Sequence, residues 1–191
     1  MIAKEKGING LNDKINMHIN IISKCTIEVQ RSQKLLLATP AGARYPYVYP
    51  RDSSSACQLF RRIAVSPIQY DAADEAFNLM ASMAGFIKDA QAADGSWNQR
   101  YSIEGEDKSI YKQEDNVAHG ISILCNYLLT ACQLGKPVTD LEGYLKAIDR
   151  ALTYSIGNLF QAELNLFYST TSIHESAIEK GYTCWVNFAF L

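Results

Sequence analysis

Apolar residues recur along this chain every three or four positions, which is the spacing of amphipathic helices, and strand-like alternation is nearly absent. Side chains at this spacing fall on one face of a helix and can pack together against a core. The pattern predicts five helices and the start of a sixth near Tyr182. The apolar positions are Ile15, Ile19, Ile22 and Val29 in the first helix; Ala56, Leu59, Phe60 and Ile63 in the second; Phe77, Met80, Ala84 and Ile87 in the third; Val117, Ile121, Leu124, Cys125, Leu128 and Cys132 in the fourth; and Leu141, Leu145, Ile148, Leu152 and Leu159 in the fifth.

Residues with known preferences for helix ends mark the limits of these segments. The first helix should stop before Pro40, because a proline disfavours helical geometry in the residue that precedes it. Asp52 and the three serines after it suit the N-cap of the second helix. Gly135 suits the end of the fourth helix. Thr139, followed by Glu142 three residues later, has the pattern of a capping box at the start of the fifth.

Three loops, each joining an odd-numbered helix to the next even-numbered one, contain nearly all of the clustered aromatic and acidic residues. They are 45–52, 94–116 and 168–185, whereas the even-to-odd connections 65–70 and 135–138 are short and chemically plain. Helices joined by short connections run antiparallel, so the three loops that contain the aromatic and acidic residues should emerge at one end of the stack. The sequence therefore predicts an all-α fold of stacked helical hairpins, in one domain over 1–191, with one functional face.

Composition and charge exclude several classes of protein. With 191 residues, of which 48% are hydrophobic and 20% charged, the chain has the makeup of a globular protein. A formal net charge of −2 leaves no basic surface for a phosphate backbone, so nucleic acid is not an expected partner. Residues 1–7 lack the apolar stretch of a signal peptide, and no later stretch suits a membrane span. We expect a cytoplasmic protein with no membrane partner.

The cysteines lack the spacing of a redox or metal site. The five cysteines form no CxxC pair, and an odd number fits reduced thiols better than a disulfide framework. Cys125 and Cys132 are expected to pack in the core, and His119 is expected to be a packed histidine of the same helix. A zinc site built from Cys57, His119 or Cys125 lacks the usual ligand spacing. We therefore expect no metal and no cofactor.

The residues of the three loops suit a sugar ligand. A pyranose offers apolar C–H faces to aromatic rings, and hydroxyl groups to carboxylates, amides and guanidinium groups. Structural interpretations compete with this one, because Asp52 equally suits a helix cap and loop aromatics also suit a protein interface. The aromatic candidates are Tyr45, Tyr47, Tyr49, Trp97, Tyr101 and Tyr111, and the polar candidates are Arg51, Asp52, Gln99, Arg100, Gln113, Glu114, Asp115, His174 and Glu175.

The order of four motifs strengthens the sugar hypothesis. They are Y-V-Y-P-R-D at 47–52, D-G-S-W at 94–97, Q-E-D at 113–115 and G-Y-T-C-W-V-N at 181–187. In this order the chain resembles the bacterial and archaeal glucoamylase-like enzymes of glycoside hydrolase family 15. The resemblance implies an (α/α)6 toroid of six helical hairpins, with the active site in a funnel at the end that bears the odd-to-even loops.

The resemblance also implies a substrate and roles for individual residues. Arg51 and Asp52 would bind the terminal glucose of an α-linked oligo- or polysaccharide, and exo-hydrolysis would follow from this closed end. The expected chemistry is hydrolysis with inversion. The general acid would be Glu175, with Glu179 as the second choice, since the Trp-Glu-Glu cluster common in the family is altered in this loop. The substrate-binding residues of the same funnel would be Tyr49, Trp97, Tyr111, Gln113, Glu114 and Asp115.

The predicted helices amount to less than half of a twelve-helix toroid. We therefore expect an incomplete barrel that lacks the catalytic base, is completed by a missing C-terminal half or by a second chain, and is inactive alone. One alternative is a non-catalytic glucan-binding or regulatory module of the same fold, and another is a helical scaffold for protein contacts. Binding of maltose or acarbose would favour a sugar function over a scaffold, and turnover would separate the enzyme from the binding module.

Overall fold

The computed structural model of this protein describes residues 2–29, 33–68, 70–170 and 180–191. Over these residues the chain is mainly helical, so the predicted all-α class is confirmed, and the described helices do not close into a barrel. No helix within the described ranges combines the length and the apolarity needed to cross a membrane. The helices are α1 (Ile2–Ser23), α2 (Pro50–Ala64), α3 (Ala73–Asp89), α4 (Asp115–Gln133), α5 (Leu141–Asn158) and α6 (Cys184–Ala189), and the strands are β1 (Thr26–Val29), β2 (Gln33–Leu36), β3 (Phe160–Gln161) and β4 (Leu166–Phe167).

An antiparallel hairpin of β1 and β2 lies between α1 and α2, where the sequence pattern predicted helix. The first helix, expected to extend to Val29, ends at Ser23. Three of the four residues of β1 are β-branched, and such residues favour strands once they can pack on a neighbouring surface. That surface is a small apolar cluster that ties the hairpin to the loop before α2. Its buried members are Leu35, Leu37 and Val48.

The main core lies between α2, α3 and α4, which pack against one another. Trp97, in the loop after α3, fills part of it, and its indole N–H donates to the carbonyl of Ile87 at 2.7 Å. The ring lies on Gly120 of α4, where a Cβ atom would overlap it. Cys125 is only half-buried and Cys132 is exposed, so the expectation that Cys132 packs in the core is wrong. Other core residues are Phe60, Phe77, Met80, Met83, Ile87, Ile123, Leu124 and Tyr127.

The start of α5 is capped one residue later than predicted. Asp140, not Thr139, is the N-cap, and its carboxylate accepts a hydrogen bond of 3.2 Å from the backbone N–H of Gly143. Aspartate and threonine both serve as caps, so spacing alone does not choose between neighbours. Lys88 of α3 binds the same carboxylate at 2.9 Å, which fixes the start of α5 against the end of α3.

The described parts of the three loops that are rich in aromatic and acidic residues meet at one end of the helices. Val48 in the first loop and Tyr101 in the second exchange backbone hydrogen bonds of 3.0 and 2.9 Å. Ser169 in the third loop donates to the carboxylate of Glu114 at the start of α4, at 3.1 Å. Away from these loops, Lys136 in the connection after α4 pairs with the first turn of α3 at 2.9 Å. The helices therefore run up and down, and the loops share one end as the sequence predicts.

α5 carries apolar residues on two sides. Ala147 and Ala151 face the core, whereas a second apolar side faces solvent. A helix that is apolar on two sides is normally covered on both. We call the exposed residues the outer stripe. Its members are Leu141, Leu145, Leu152 and Ile156 of α5.

Candidate functional site

The first turn of α2 carries Arg51 and Asp52. The helix begins at Pro50, whose ring presets helical geometry, and Tyr49 takes the N-cap position without a side-chain cap bond. Asp52 therefore lies inside the helix, and its interpretation as the N-cap is wrong. Its carboxylate still benefits from the positive end of the helix dipole.

Asp115, the first residue of α4, is the meeting point of three helices. Its side chain is only 4% exposed. Oδ2 accepts a hydrogen bond of 2.9 Å from the indole N–H of Trp185 in α6. His119 Nε2, one turn further along α4, lies 3.5 Å from the same oxygen, and Arg51 Nη1 of α2 lies 3.9 Å from it. One buried carboxylate thus faces a neutral donor and two basic groups.

The pKa values of the two aspartates are shifted in opposite directions. Burial raises the pKa of Asp52, and the charges of Arg51 and His119 reduce this effect. Since the Asp52 side chain remains in contact with solvent, its desolvation is partial. Burial also acts to raise the pKa of Asp115, but His119, the Trp185 N–H and the charge of Arg51 together lower it. Asp115 is held ionised, whereas Asp52 takes up a proton more readily than a free aspartate.

Glu114, immediately before α4, fastens the third loop to this site. It is 2% exposed, and its carboxylate accepts hydrogen bonds from the hydroxyls of Ser169, at 3.1 Å, and Thr170. Ser169 is also paired with Gly181 by two backbone hydrogen bonds of 2.8 and 2.9 Å. The two arms of the third loop are therefore held together and attached to the start of α4.

Several buried polar atoms at the starts of α2 and α4 have no hydrogen-bond partner in the described part of the chain. Buried polar groups in folded proteins are nearly always paired. Two of these atoms are the basic nitrogens that approach Asp115 at ion-pair distance. Among the described residues, unsatisfied buried groups are therefore concentrated at this end of the structure. The atoms are Arg51 Nη1, Ser53 Oγ, Gln113 Nε2, Asn116 Nδ2 and His119 Nε2.

The aromatic residues predicted to line the funnel differ in how much of their surface is exposed. Tyr49 is 7% exposed, and its hydroxyl accepts a hydrogen bond of 3.0 Å from Arg100 Nη1. Trp97 is 3% exposed in the core, and Tyr111 is half-buried. Gln113, like Glu114 and Asp115, is buried at the start of α4. Their proposed contacts with substrate stay predictions.

Neither a general acid nor a metal centre can be located within the described ranges. Glu175, the first choice for the acid, and Glu179, the second, both lie outside the described residues, as does His174. The role of these residues stays a prediction. Among the described residues, no group of three or more His, Cys, Asp or Glu side chains could hold a metal ion.

Two residues of the site were not assigned from the sequence. His119, expected only to pack, lies beside Asp115, and the four-residue spacing between them was the available signal, because such residues share a helix face. Trp185 belongs to the G-Y-T-C-W-V-N motif, but nothing in that motif showed that its N–H reaches Asp115.

No protein-family model matches this sequence, and no curated protein matches it. Among solved structures, the chain is similar to a glycosyl hydrolase family 88 protein from Bacteroides vulgatus, with a TM-score of 0.65 and 15% identity over 93% of this chain and 52% of that one. It is also similar to a wild-type glycosidase, with a TM-score of 0.50 and 17% identity over 85% of this chain and 47% of that one. The chain therefore has the helical-hairpin fold of six-hairpin glycosidases and spans about half the length of the structures that it matches.

Proposed function

We propose that this chain forms one wall of the active site of a glycoside hydrolase that acts on α-linked glucose oligo- or polysaccharides. The observation that carries the proposal is the convergence of Arg51, Asp115, His119 and Trp185 at the loop-bearing end of a glycosidase-type fold. The site combines charged groups with an exposed aromatic ring. Sugars are recognised by this combination.

Arg51 and Asp52 form the subsite for the non-reducing terminal glucose in this proposal. The guanidinium group donates to sugar hydroxyls, and the carboxylate accepts from them, through charge-assisted hydrogen bonds. Asp115, which is held ionised, balances the charge of Arg51 across 3.9 Å and fixes the direction of its side chain. A closed subsite at the chain end of the substrate accounts for exo-action, in the manner of family 15 glucoamylase-like enzymes.

Hydrolysis in this proposal proceeds with inversion. Glu175, or Glu179 as the second choice, protonates the leaving glycosidic oxygen, while a second carboxylate activates water on the opposite face of the sugar. Inverting enzymes separate these two carboxyl groups by roughly 6.5–9.5 Å. The second carboxylate comes from the part of the fold that this chain does not include.

The rest of the barrel is supplied by additional helices in this proposal. The matched structures are about twice as long as the chain, since it covers 52% and 47% of them. The outer stripe gives those helices an apolar surface on which to pack. They come either from a continuation of the same polypeptide or from a second chain.

Sugar binding to the chain tests the recognition step. Isothermal titration with maltose, isomaltose and acarbose is expected to detect binding that weakens about tenfold or more in Asp52→Asn, because one charge-assisted hydrogen bond is lost. Glu142→Gln is the control, since Glu142 is an exposed carboxylate in α5. The proposal is overturned if none of the three sugars binds, or if the two variants bind equally well.

Turnover tests the chemical step. We expect no glucose release from maltooligosaccharides by the chain alone, and release once the completing helices are present. In the completed protein, Glu175→Gln should abolish turnover and Glu179→Gln should retain it. Sugar binding without turnover in the completed protein would instead favour a glucan-binding or regulatory module.

A further inference from the structure

The side chain of Trp185 is fixed at its polar end and open to solvent at its ring. Its Nε1 donates to Asp115 Oδ2 at 2.9 Å, and that carboxylate is buried. Even so, 44% of Trp185 is exposed. Leaving a large apolar ring in water is unfavourable, and the hydrogen bond to a buried acceptor limits its freedom to rotate into a less exposed position.

α6 is anchored through side chains other than the ring of Trp185. Val186 is 3% exposed and packs inward. Asn187 binds the backbone N–H and carbonyl of Phe167 at 2.8 and 3.0 Å. Phe190 stacks on the ring of Phe167 at 3.9 Å. These contacts attach the helix without the exposed surface of the indole.

Polar groups surround the fixed edge of the indole. The oxygen that accepts its N–H also lies 3.5 Å from His119 Nε2 and 3.9 Å from Arg51 Nη1. Both nitrogens are buried and have no hydrogen-bond partner in the described part of the chain. The side chain of Arg51 as a whole is 24% exposed, so a partly exposed aromatic ring lies near a partly exposed guanidinium side chain. This pairing matches the two kinds of surface on a pyranose.

We infer that Trp185 forms a sugar-stacking subsite, in which the exposed face of the indole receives the apolar C–H face of a pyranose ring next to Arg51. This inference rests on the proposed function and adds the position of the sugar ring. It also narrows the ligand to sugars that present a continuous apolar face, such as glucopyranosides. The hydrogen bond to Asp115 sets the orientation of the platform.

Tryptophan fluorescence tests contact between this ring and a sugar. The chain has two tryptophans, and Trp97 is 3% exposed, so iodide should quench mainly Trp185. Saturating maltotriose is expected to protect the fluorescence from iodide. Trp185→Phe is the control, because its fluorescence comes from Trp97 alone. Unchanged quenching in the presence of bound maltotriose would overturn the inference.

Two substitutions separate the contribution of the aromatic ring to sugar binding from the contribution of its hydrogen bond. Trp185→Ala, which removes both, should weaken maltotriose binding on the order of tenfold, whereas Trp185→Phe, which keeps a flat ring, should weaken it by no more than about threefold. Phe188→Ala is the matched control, because Phe188 is also an exposed aromatic of α6. Its affinity for maltotriose should be unchanged.

The outcomes distinguish this inference from the proposed function. If Trp185→Ala and Trp185→Phe lose the same affinity for maltotriose, the only role of Trp185 is its hydrogen bond to Asp115. That result would overturn the stacking subsite. Binding that depends on Asp52 but is unchanged in Trp185→Ala would overturn the stacking subsite alone. If the unmutated chain binds no sugar, the proposed function fails and the subsite fails with it.

Discussion

Trp97 and Gly120 are in direct contact, with the six-membered ring of the indole against the backbone of α4. The glycine is required here because a Cβ atom would overlap ring carbons of Trp97. The indole N–H is bound to the carbonyl of Ile87, which limits how far the ring can shift. The placement of α4 against the loop after α3, and with it the position of Asp115, depends on this close approach.

Gly120→Ala is therefore expected to destabilise the protein. Overpacking of a filled core costs about 1–3 kcal/mol, which exceeds the roughly 1 kcal/mol that alanine gains over glycine inside a helix. Urea unfolding followed by circular dichroism measures the difference.

Gly157→Ala is the matched control for this substitution. Gly157 lies in α5, and a Cβ atom added there would meet nothing within 4 Å. The control should be neutral or stabilising by up to about 1 kcal/mol. Equal effects of the two substitutions would show that the indole moves aside.

The helical spacing predicted much of the architecture, because helices of this kind are formed by local sequence. The α3, α4 and α5 segments illustrate this, since each combines a clear apolar face with recognisable end signals. The β1–β2 hairpin was missed, because β-branched residues at 26–29 depend on a distant surface around Val48 to become a strand. Local spacing alone does not reveal that surface.

The candidate site was predictable in its loops but not in its contacts. Three loops at one end follow from alternating helix direction, so Arg51 and Asp115 could be grouped in advance. The buried position of Trp97 and the bond from Trp185 to Asp115 result from tertiary packing. The sequence does not distinguish a loop aromatic that faces solvent from one that packs in a core.

Glu114→Gln is expected to loosen the third loop. The carboxylate accepts two hydroxyl hydrogen bonds, and an amide that keeps only one acceptor oxygen leaves one of those hydroxyls without its acceptor. The cost of such a loss is about 1–3 kcal/mol. Amide hydrogen exchange should quicken at Ser169 and Gly181, whose backbones are paired.

The control for this exchange experiment is Glu142→Gln. Glu142 is exposed and pairs with Lys146 at 2.6 Å, and such surface pairs contribute about 0–1 kcal/mol. Exchange at Ser169 should be unaffected in the control. If Glu114→Gln also leaves it unchanged, the carboxylate does not anchor the loop.

Charged substitutions in the outer stripe should reduce association without unfolding the chain. Leu145→Lys and Ile156→Lys replace exposed side chains, so each should change the free energy of unfolding by no more than about 0.5 kcal/mol. Both remove apolar surface of the kind that drives association. Light scattering against concentration measures the effect.

Ala151→Lys provides the contrast on the opposite side of α5. Ala151 is fully buried in the core, so a lysine there should unfold the chain or lower its melting temperature sharply. If the outer-stripe variants destabilise the chain as strongly, those side chains are already packed against protein.

The opposite pKa shifts of Asp52 and Asp115 predict opposite effects of neutral substitutions on stability. The folded-state pKa of Asp115 is lowered, so its charge stabilises the fold above the unfolded-chain pKa of about 3.9, and this contribution is lost as pH falls through the folded-state value. The folded-state pKa of Asp52 is raised. Its ionisation therefore opposes folding as pH rises from about 3.9 through the folded-state value.

At pH 7, Asp115→Asn should therefore lower the free energy of unfolding, and Asp52→Asn should raise it. The unmutated chain and Asp115→Asn should differ less in free energy of unfolding as pH falls below about 4. At low pH, Asp115 becomes protonated in the unfolded chain and then in the folded chain. Urea titrations between pH 3 and 7 measure both differences. If the free energy of unfolding of Asp115→Asn stays lower by a constant amount down to pH 3, the charge of Asp115 is not what stabilises the fold. The geometry of its hydrogen bonds would then stabilise the contact with Trp185 and His119.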